Sequence, residues 1–248
     1  MLAELMERTG NWMLGDLPPD GKDYWAGRFW DRAAAEQHPV LGDHYRTQKA
    51  EVADLLKAHG ADVTRVLEFA CGTGEFTAAA ATLTPASEIT VVDVSAEGLR
   101  RTAARVSHPG LQLVQGDFWT VQDLSPADLV MCVDAIHHIG NPRTVLERMR
   151  GFVVPGGLFI GNLWTSDHFH ELQRQRYGSA THLRHMAAFL GTAALVRISA
   201  ARLHGSAYRT RLLPSKAVQP LLESVFGEVL YVSPEHHHFV AFACRLAA

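Results

Sequence analysis

Seven short apolar runs punctuate the chain: Val66–Ala70, Ile89–Asp93, Leu111–Gln115, Ala127–Asp134, Gly157–Asn162, Val229–Val232 and Phe239–Cys244. They are rich in Val, Ile, Leu and Phe and too short for helices, so each reads as a strand. Between them lie stretches of helical period: Phe76–Leu83, Leu99–Val106, Pro142–Met149 and Ser215–Phe226. In the third, Val145, Leu146 and Met149 fall on one face. Strands alternating with helices at this spacing pair in parallel, which predicts an α/β fold with a doubly wound, mostly parallel, seven-stranded sheet. The last two runs close it as a terminal hairpin.

The pattern divides the chain into a helical N-terminal segment over residues 1–60, a core over 61–162, an insertion over 163–212 and a return to the sheet over 213–248. Met1–Leu14 reads as an amphipathic helix, and Leu17-Pro18-Pro19-Asp20-Gly21 breaks it. Tyr45–Leu56 is a second helix with Val52, Leu55 and Leu56 inward. In the insertion, Phe169–Tyr177 and Thr181–Leu190 read as helices, while Leu195–Tyr208 has no clear period.

The 248 residues suffice for one α/β domain with an elaboration. With 47% hydrophobic and 20% charged residues, the composition is that of a soluble globular protein. No apolar run approaches a membrane span, and the N-terminus lacks the basic flank and long apolar core of a secretory signal. A formal charge of −3 without a basic run argues against a nucleic-acid substrate. Cys71, Cys132 and Cys244 fit neither disulfide nor metal spacing, and all fall in strands or the glycine turn, which points to a reducing, cytoplasmic setting.

The first strand runs into Cys71-Gly72-Thr73-Gly74 and then a helix. Such a turn lets a ligand approach the main chain closely, at the carboxyl end of a strand where α/β sheets bind ligands. It is not a P-loop, because Gly74 is followed by Glu75-Phe76 rather than Lys-Ser/Thr. A dinucleotide fingerprint needs a small residue at Thr77, and Glu68 would repel a pyrophosphate while suiting a cationic ligand. Asp93 follows Gly74 by 19 residues at the end of the second strand, the place of a ribose-hydroxyl acceptor.

Glu68-Phe69-Ala70-Cys71-Gly72-Thr73-Gly74 resembles the first motif of the class I S-adenosylmethionine-dependent methyltransferases, of small-molecule type, with Ala70 where Gly is commonest. Asp93, Gly116-Asp117-Phe118, Ala127–Asp134 and Pro155-Gly156-Gly157 follow in register. The resemblance implies a Rossmann-like sheet with an antiparallel C-terminal edge, an N-terminal lid and a cap after the fifth strand. It implies S-adenosylmethionine as cofactor and S-adenosylhomocysteine as product. The cofactor-binding set is then Glu68 near the methionine ammonium, Ala70, Gly72 and Gly74 in the turn, Asp93 on the ribose with Val94 beside it, Asp117 and Phe118 at the adenine, and Val133 and Asp134 along the methionine.

For the acceptor, a small molecule with an oxygen or nitrogen nucleophile, the candidates are less sharply drawn. Tyr24, Trp25 and Trp30 lie in the expected lid and either wall the substrate or pack on the sheet edge. Trp164 and His170 follow the fifth strand toward the same pocket. His137, His138 and His168 are the candidate general bases, an imidazole being suited to remove a proton near neutral pH. Arg202, Arg209 and Arg211 could meet a carboxylate, as a Tyr45-Arg46 pair could meet the cofactor's. No metal is expected: in a helix His168 and His170 point about 200° apart, and His236-His237-His238 opens a strand whose neighbours alternate faces. Two copies could pair as a homodimer. Other uses of the same features are a cyclase or isomerase that holds the cofactor without spending its methyl, and a non-catalytic methyltransferase-like subunit.

Overall fold

The computed structural model describes residues 2–15, 25–29, 32–200, 202–203, 210–234 and 239–247, apart from the His168 side chain. Tyr24, Trp30, Arg209 and His236–His238 lie outside the described residues. The described helices begin with α1 (Leu2–Leu14), α2 (Arg32–Glu36) and α3 (Gly42–His59). The alternating core follows as β1 (Arg65–Phe69), α4 (Glu75–Leu83), β2 (Glu88–Asp93), α5 (Ala96–Arg105), β3 (Leu111–Gln115) and β4 (Ala127–Cys132). Next come α6 (Ile136–Ile139), α7 (Pro142–Arg150), β5 (Val153–Trp164), α8 (Ser166–Tyr177) and α9 (Ser179–Ile198). A 3-10 turn at Ser215–Ala217, α10 (Val218–Phe226), β6 (Gly227–Val232) and β7 (Phe239–Leu246) complete the chain.

The sheet has seven strands in the order β3-β2-β1-β4-β5-β7-β6. β1 to β5 pair in parallel, and β7 runs antiparallel between β5 and β6, so β6 forms the outer edge. The expected seven-stranded, mostly parallel sheet is present, with its antiparallel strand one place in from the edge. Its two faces are covered by different helices. Leu67, Phe69, Val130, Phe159 and Phe242 face α7 and α10, through Leu146, Met149, Leu222 and Phe226. Val66, Ile89, Val91, Leu129 and Met131 face α3 and α4, through Val52, Leu56, Phe76 and Ala80. Each fully buried Leu or Phe there contributes about 1.5–3 kcal/mol.

Element ends differ from the sequence reading for local reasons. β4 stops at Cys132, because Asp134 takes φ +60, which no strand residue adopts. β5 begins at Val153 rather than Gly157, its ladder with β4 shifting register around Pro155 and Gly156. α9 continues to Ile198, four residues into the stretch without clear period.

α3 packs on the sheet. α1 lies against α9, with Leu14, Phe189, Ala193 and Val196 forming one apolar cluster and Ala3, Trp164, Phe169 and Met186 another. No helix among the described residues is long and apolar enough to cross a membrane.

Candidate functional site

The chain order runs outward from β1 through β2 and β3, then returns to place β4 on the other side of β1. That reversal opens a crevice at the carboxyl ends of β1 and β4, where open α/β sheets take ligands. The cleft there encloses about 1280 Å³, its open mouth included. Its floor strands leave their ends in unusual conformations. Ala70 takes φ +55 after β1, and Asp134 takes φ +60 after β4. Such angles cost a non-glycine residue about 1–2 kcal/mol and persist where the surroundings over-determine them.

Gly72 and Gly74 divide the work of the turn. Both have positive φ, +57 and +75. A Cβ built on Gly72 meets nothing within 4 Å, because that residue borders the open cleft. A Cβ on Gly74 would stand 2.8–2.9 Å from Thr102 Cγ2, Cα and Oγ1. Gly74 therefore lets α5 approach the turn and does not itself border the cleft. Thr102 locks that approach by donating from Oγ1 to the Gly72 carbonyl at 3.1 Å.

Asp93 is the fixed acid of this cleft. Gly72 N–H donates to its Oδ2 at 2.8 Å and Ser95 N–H to its Oδ1 at 2.8 Å. Burial raises its pKa above the usual carboxylate value, against the pull of those amides. Ser95 caps α5, its Oγ accepting from Gly98 N–H at 3.1 Å. Val94 and Ser95 border the cleft beside it, as do Gly116, Asp117, Phe118 and Trp119. Asp117 Oδ1 accepts from Trp119 N–H at 2.9 Å. Phe118 stands edge-on to Phe69, ring centroids 5.1 Å apart. Arg148 holds this loop from behind, donating to the carbonyls of Phe118 and Val121.

Glu68 does not face the cleft. It is buried on the α3/α4 side of β1, where Thr77 Oγ1 donates to it. Burial, aided by the charge of Asp93, pushes its pKa up to about 8, so it is a neutral acid under the turn at pH 7. Cys71 borders the cleft, but burial pushes its thiol up, and Glu68 and Asp93 add to this; it is no thiolate nucleophile at neutral pH.

At the other end, Val133 and Ala135 line the wall and Asp134 organises it. Asp134 Oδ1 accepts from Gln48 Nε2 at 2.6 Å, Trp164 Nε1 at 3.1 Å and Asn162 Nδ2 at 3.2 Å. Its Oδ2 accepts from Arg32 Nη1 at 3.2 Å. Arg32 also donates to Gln48 Oε1 at 2.6 Å and the Tyr45 carbonyl at 2.6 Å, and lies over the Phe76 ring at 4.7 Å. Arg32, Gln48 and Asn162 are not among the site residues expected from the sequence. Arg46, weighed there as a carboxylate ligand, instead pairs with Asp43 at the surface, away from the cleft.

The two adjacent histidines separate. His138 borders the cleft. His137 lies behind it, stacked on Trp164 at 4.6 Å, its Nδ1 accepting from Trp164 N–H at 3.4 Å. Trp25 and Trp164 border the same end of the cleft, each in ring contact with His138, at 5.7 and 5.6 Å between centroids. Arg28 and Phe29 also border the cleft, the Phe29 ring lying against the Arg101 guanidinium of α5 at 3.8 Å. His170 does not reach the cleft. It is buried between α1, α8 and α9, with Nδ1 3.0 Å from His182 Nε2 and Nε2 3.9 Å from Glu7 Oε2. His168 lies on α8, and its side chain is outside the described atoms. Arg211 is buried beside His137, whose carbonyl accepts from its backbone N–H at 2.8 Å, and it does not border the cleft. No group of three or more His, Cys, Asp or Glu able to hold a metal occurs among the described residues.

Residues 67–159 match the model of a methyltransferase domain family. An uncharacterized methyltransferase of Mycobacterium bovis is 36% identical over 93 residues, 37% of this chain and 46% of that protein. A malonyl-[acyl-carrier protein] O-methyltransferase of Paenibacillus sp. is 26% identical over 157 residues, 59% of this chain and 57% of that protein. The chain thus spans about half the length of these curated relatives. Among solved structures, the magnesium protoporphyrin IX methyltransferase of Synechocystis PCC 6803 with bound S-adenosylhomocysteine superposes with a TM-score of 0.59 at 12% identity, covering 91% of this chain and 98% of that one. The N-methyltransferase NodS of Bradyrhizobium japonicum WM9 gives 0.54 at 16% identity, covering 86% and 99%.

Proposed function

We propose, on the premise that this chain has the fold of the class I S-adenosylmethionine-dependent methyltransferases, that it moves a methyl group from S-adenosylmethionine to an oxygen or nitrogen of a small molecule. The observation that carries this reading is the pairing of Asp93 with Gly72. A buried carboxylate anchored by two backbone amides borders the cleft. Beside it stands a glycine whose missing side chain leaves room for a ligand against the main chain.

The residues fit the cofactor. Asp93 accepts from ribose hydroxyls, Asp117 and Phe118 hold the adenine, and the turn from Ala70 to Gly72 with Val133 and Asp134 borders the methionine. Gly74 and Glu68 act from behind, Gly74 by letting α5 close and Glu68 by filling the space under the turn. When bound, the cofactor would supply an electrophilic methyl on a positive sulfonium, with a neutral thioether as the leaving group. The protein's remaining tasks are alignment, exclusion of water and removal of a proton. The segment around Trp25 and Phe29 serves as the lid. His138, on the cleft wall, takes the acceptor's proton; His137 holds Trp164 in place.

Calorimetric titration with S-adenosylmethionine and S-adenosylhomocysteine tests this. Wild-type protein is expected to bind both at low micromolar concentration or tighter, and Asp93→Ala to weaken binding by about 1.5–3 kcal/mol, roughly 10- to 150-fold. Absence of binding to the wild type refutes the reading. Formation of S-adenosylhomocysteine with an acceptor separates methyl transfer from a cyclase or isomerase that retains the methyl.

A further inference from the structure

We infer that the paired C-terminal ends of α1 and α9 dock this protein on a bilayer surface rich in anionic lipid. The inference goes beyond methyl transfer and stands on other residues. Of the eight large apolar side chains exposed among the described residues, six belong to α1, α9 and the turn after α9: Leu2, Leu5, Trp12, Leu195, Ile198 and Leu203. Trp12 is 79% exposed and Ile198 86%. Single exposed apolar residues need no explanation, but their concentration on one helix pair does.

The pattern of α1 is inverted. Its buried positions are Ala3, Glu7, Gly10 and Leu14, mostly small or polar. Leu5 and Trp12, seven residues apart and so on one face, are exposed on the opposite side, with Arg8 between them. α9 buries His182, Met186, Phe189, Ala193 and Val196. Its other side carries Ala187, Ala188, Gly191, Leu195 and Ile198, all exposed, so this helix is apolar nearly all round. Gly10 lies against the Phe189 ring, and Leu14 clusters with Ala193 and Val196. The helices therefore run side by side in one direction, and Trp12 and Ile198 stand near the same end. Beyond Ile198 the chain turns on Ser199, whose carbonyl accepts from Arg202 N–H and whose Oγ accepts from Leu203 N–H, each at 3.1 Å.

The charges select the partner. Residues 172–222 contain seven Arg and one Lys but no Asp or Glu, in a chain of formal charge −3. Arg8, Arg184, Arg197 and Arg202 are exposed, with no carboxylate partner among the described residues. A second copy of this surface would set these cations against their own kind. The buried faces of α1 and α9 meet, so their apolar outer sides look away from each other, and one protein surface covers only one of them. A lipid phase closes around an inserted end from every side. A tryptophan and aliphatic side chains in the interfacial layer, with arginines reaching the lipid phosphates, match such a surface.

The test is co-sedimentation of the full chain with vesicles of two kinds, phosphatidylcholine alone and phosphatidylcholine mixed equally with phosphatidylglycerol. The expected result is binding to the mixed vesicles about tenfold or more tighter than to the neutral ones, weakening as salt rises from about 0.05 to about 0.5 M. Trp12→Gln and Ile198→Gln, compared at equal helix content by circular dichroism, are each expected to weaken vesicle binding about tenfold. Arg197→Gln combined with Arg202→Gln should cut the preference for anionic lipid about tenfold or more. Leu113→Gln, which removes an exposed leucine from edge strand β3, should bind as wild type. No binding to mixed vesicles at millimolar lipid, equal binding to neutral and anionic vesicles, or wild-type binding by the Trp12 and Ile198 variants overturns the inference. So does a dimer in sedimentation equilibrium without lipid that Trp12→Gln abolishes, which would assign the face to a second copy. None of these outcomes bears on the methyl-transfer reading, which cofactor binding tests separately.

Discussion

Gly72 and Gly74 occupy one short turn, yet replacing each by alanine should fail in different ways. Both positions have positive φ, so each alanine carries a penalty of about 1–2 kcal/mol, offset by about 0.4–1 kcal/mol from the stiffer unfolded chain. At Gly72 that is nearly the whole cost to folding, because its Cβ enters empty space. The net loss is about 1 kcal/mol. At Gly74 the new Cβ comes within 2.8–2.9 Å of three Thr102 atoms, one of them in the backbone, which no rotamer change can move. Overpacking of this kind adds about 1–3 kcal/mol, for a total of about 2–4 kcal/mol. With a urea m-value of about 2 kcal/mol/M, Gly74→Ala should unfold about 1 M earlier than Gly72→Ala. Ligand affinity should rank the other way. Gly72→Ala puts a methyl where the ligand meets the main chain and should cost S-adenosylhomocysteine binding tenfold or more, about 1.4 kcal/mol. Gly74→Ala, assayed while folded, should stay within about threefold of wild type. Adding Thr102→Ala to Gly74→Ala should restore only part of the stability, since the new methyl still collides with the backbone of α5. Equal urea midpoints for the two single variants, or a larger affinity loss at Gly74, would refute this division.

Four further expectations follow from the same geometry. Ala70→Gly relieves φ +55 and should leave the urea midpoint unchanged or raise it, by up to about 1 kcal/mol; a loss larger than that contradicts the strain at the end of β1. Glu68 has a folded pKa of about 8 against an ordinary value of 4.5, so its contribution is complete below about pH 4.5 and is lost as pH rises through about 8; stability should fall across that window by up to about 1.4 kcal/mol per pH unit, a slope that Glu68→Gln should lack in urea titrations at several pH values. A double-mutant cycle of Arg32→Met and Asp134→Asn should give a coupling of about 1.5–3 kcal/mol, since both side chains are largely buried, and a value near zero would show the pair to be solvent-screened. His182 is depressed from 6.5 to about 4 by burial and by His170, so its contribution is complete above about pH 6.5 and is lost as pH falls through about 4; amide protection factors in α1 and α9, corrected for intrinsic exchange, should fall across that window in wild type and not in His182→Leu.

The core was legible because burial imposes a period. All seven apolar runs contain strands; the inner ones, buried on both faces, must be apolar throughout their middles, whereas β3 and β6 at the two edges are partly or largely exposed throughout. The cleft acids were legible for a related reason. A carboxylate such as Asp93 at the end of an apolar run interrupts the hydrophobic pattern, and its distance from a glycine turn measures one strand–helix unit. Where the backbone left regular geometry, the pattern misled. Asp134 extends the apolar run of β4 in sequence, but its left-handed φ takes it out of the strand and turns its carboxylate toward α2 and α3. Glu68 reads as a cleft acid because it precedes the turn, yet strand alternation sends it to the α3/α4 face opposite Leu67 and Phe69.

The partners of Asp134 show what kind of signal remains in the sequence unread. Gln48 sits on the inward stripe of α3, in step with Tyr45, Val52, Leu55 and Leu56, all buried. A polar residue on a buried stripe must find a partner, at a cost of about 1–3 kcal/mol if it does not. That alone marks Gln48 as a group reaching into a site. Asn162 makes the same argument near the end of β5, where every neighbour in the run is apolar or glycine. Arg32 offers no such mark. It opens a five-residue helix, Arg-Ala-Ala-Ala-Glu, with no period, and its burial follows from groups on other segments, Gln48, the Tyr45 carbonyl, the Phe76 ring and the distant Asp134 carboxylate. Residues held by a period can be found from their own segment. Residues held by a charge on another segment, 102 positions away here, become visible only when the fold brings the two together.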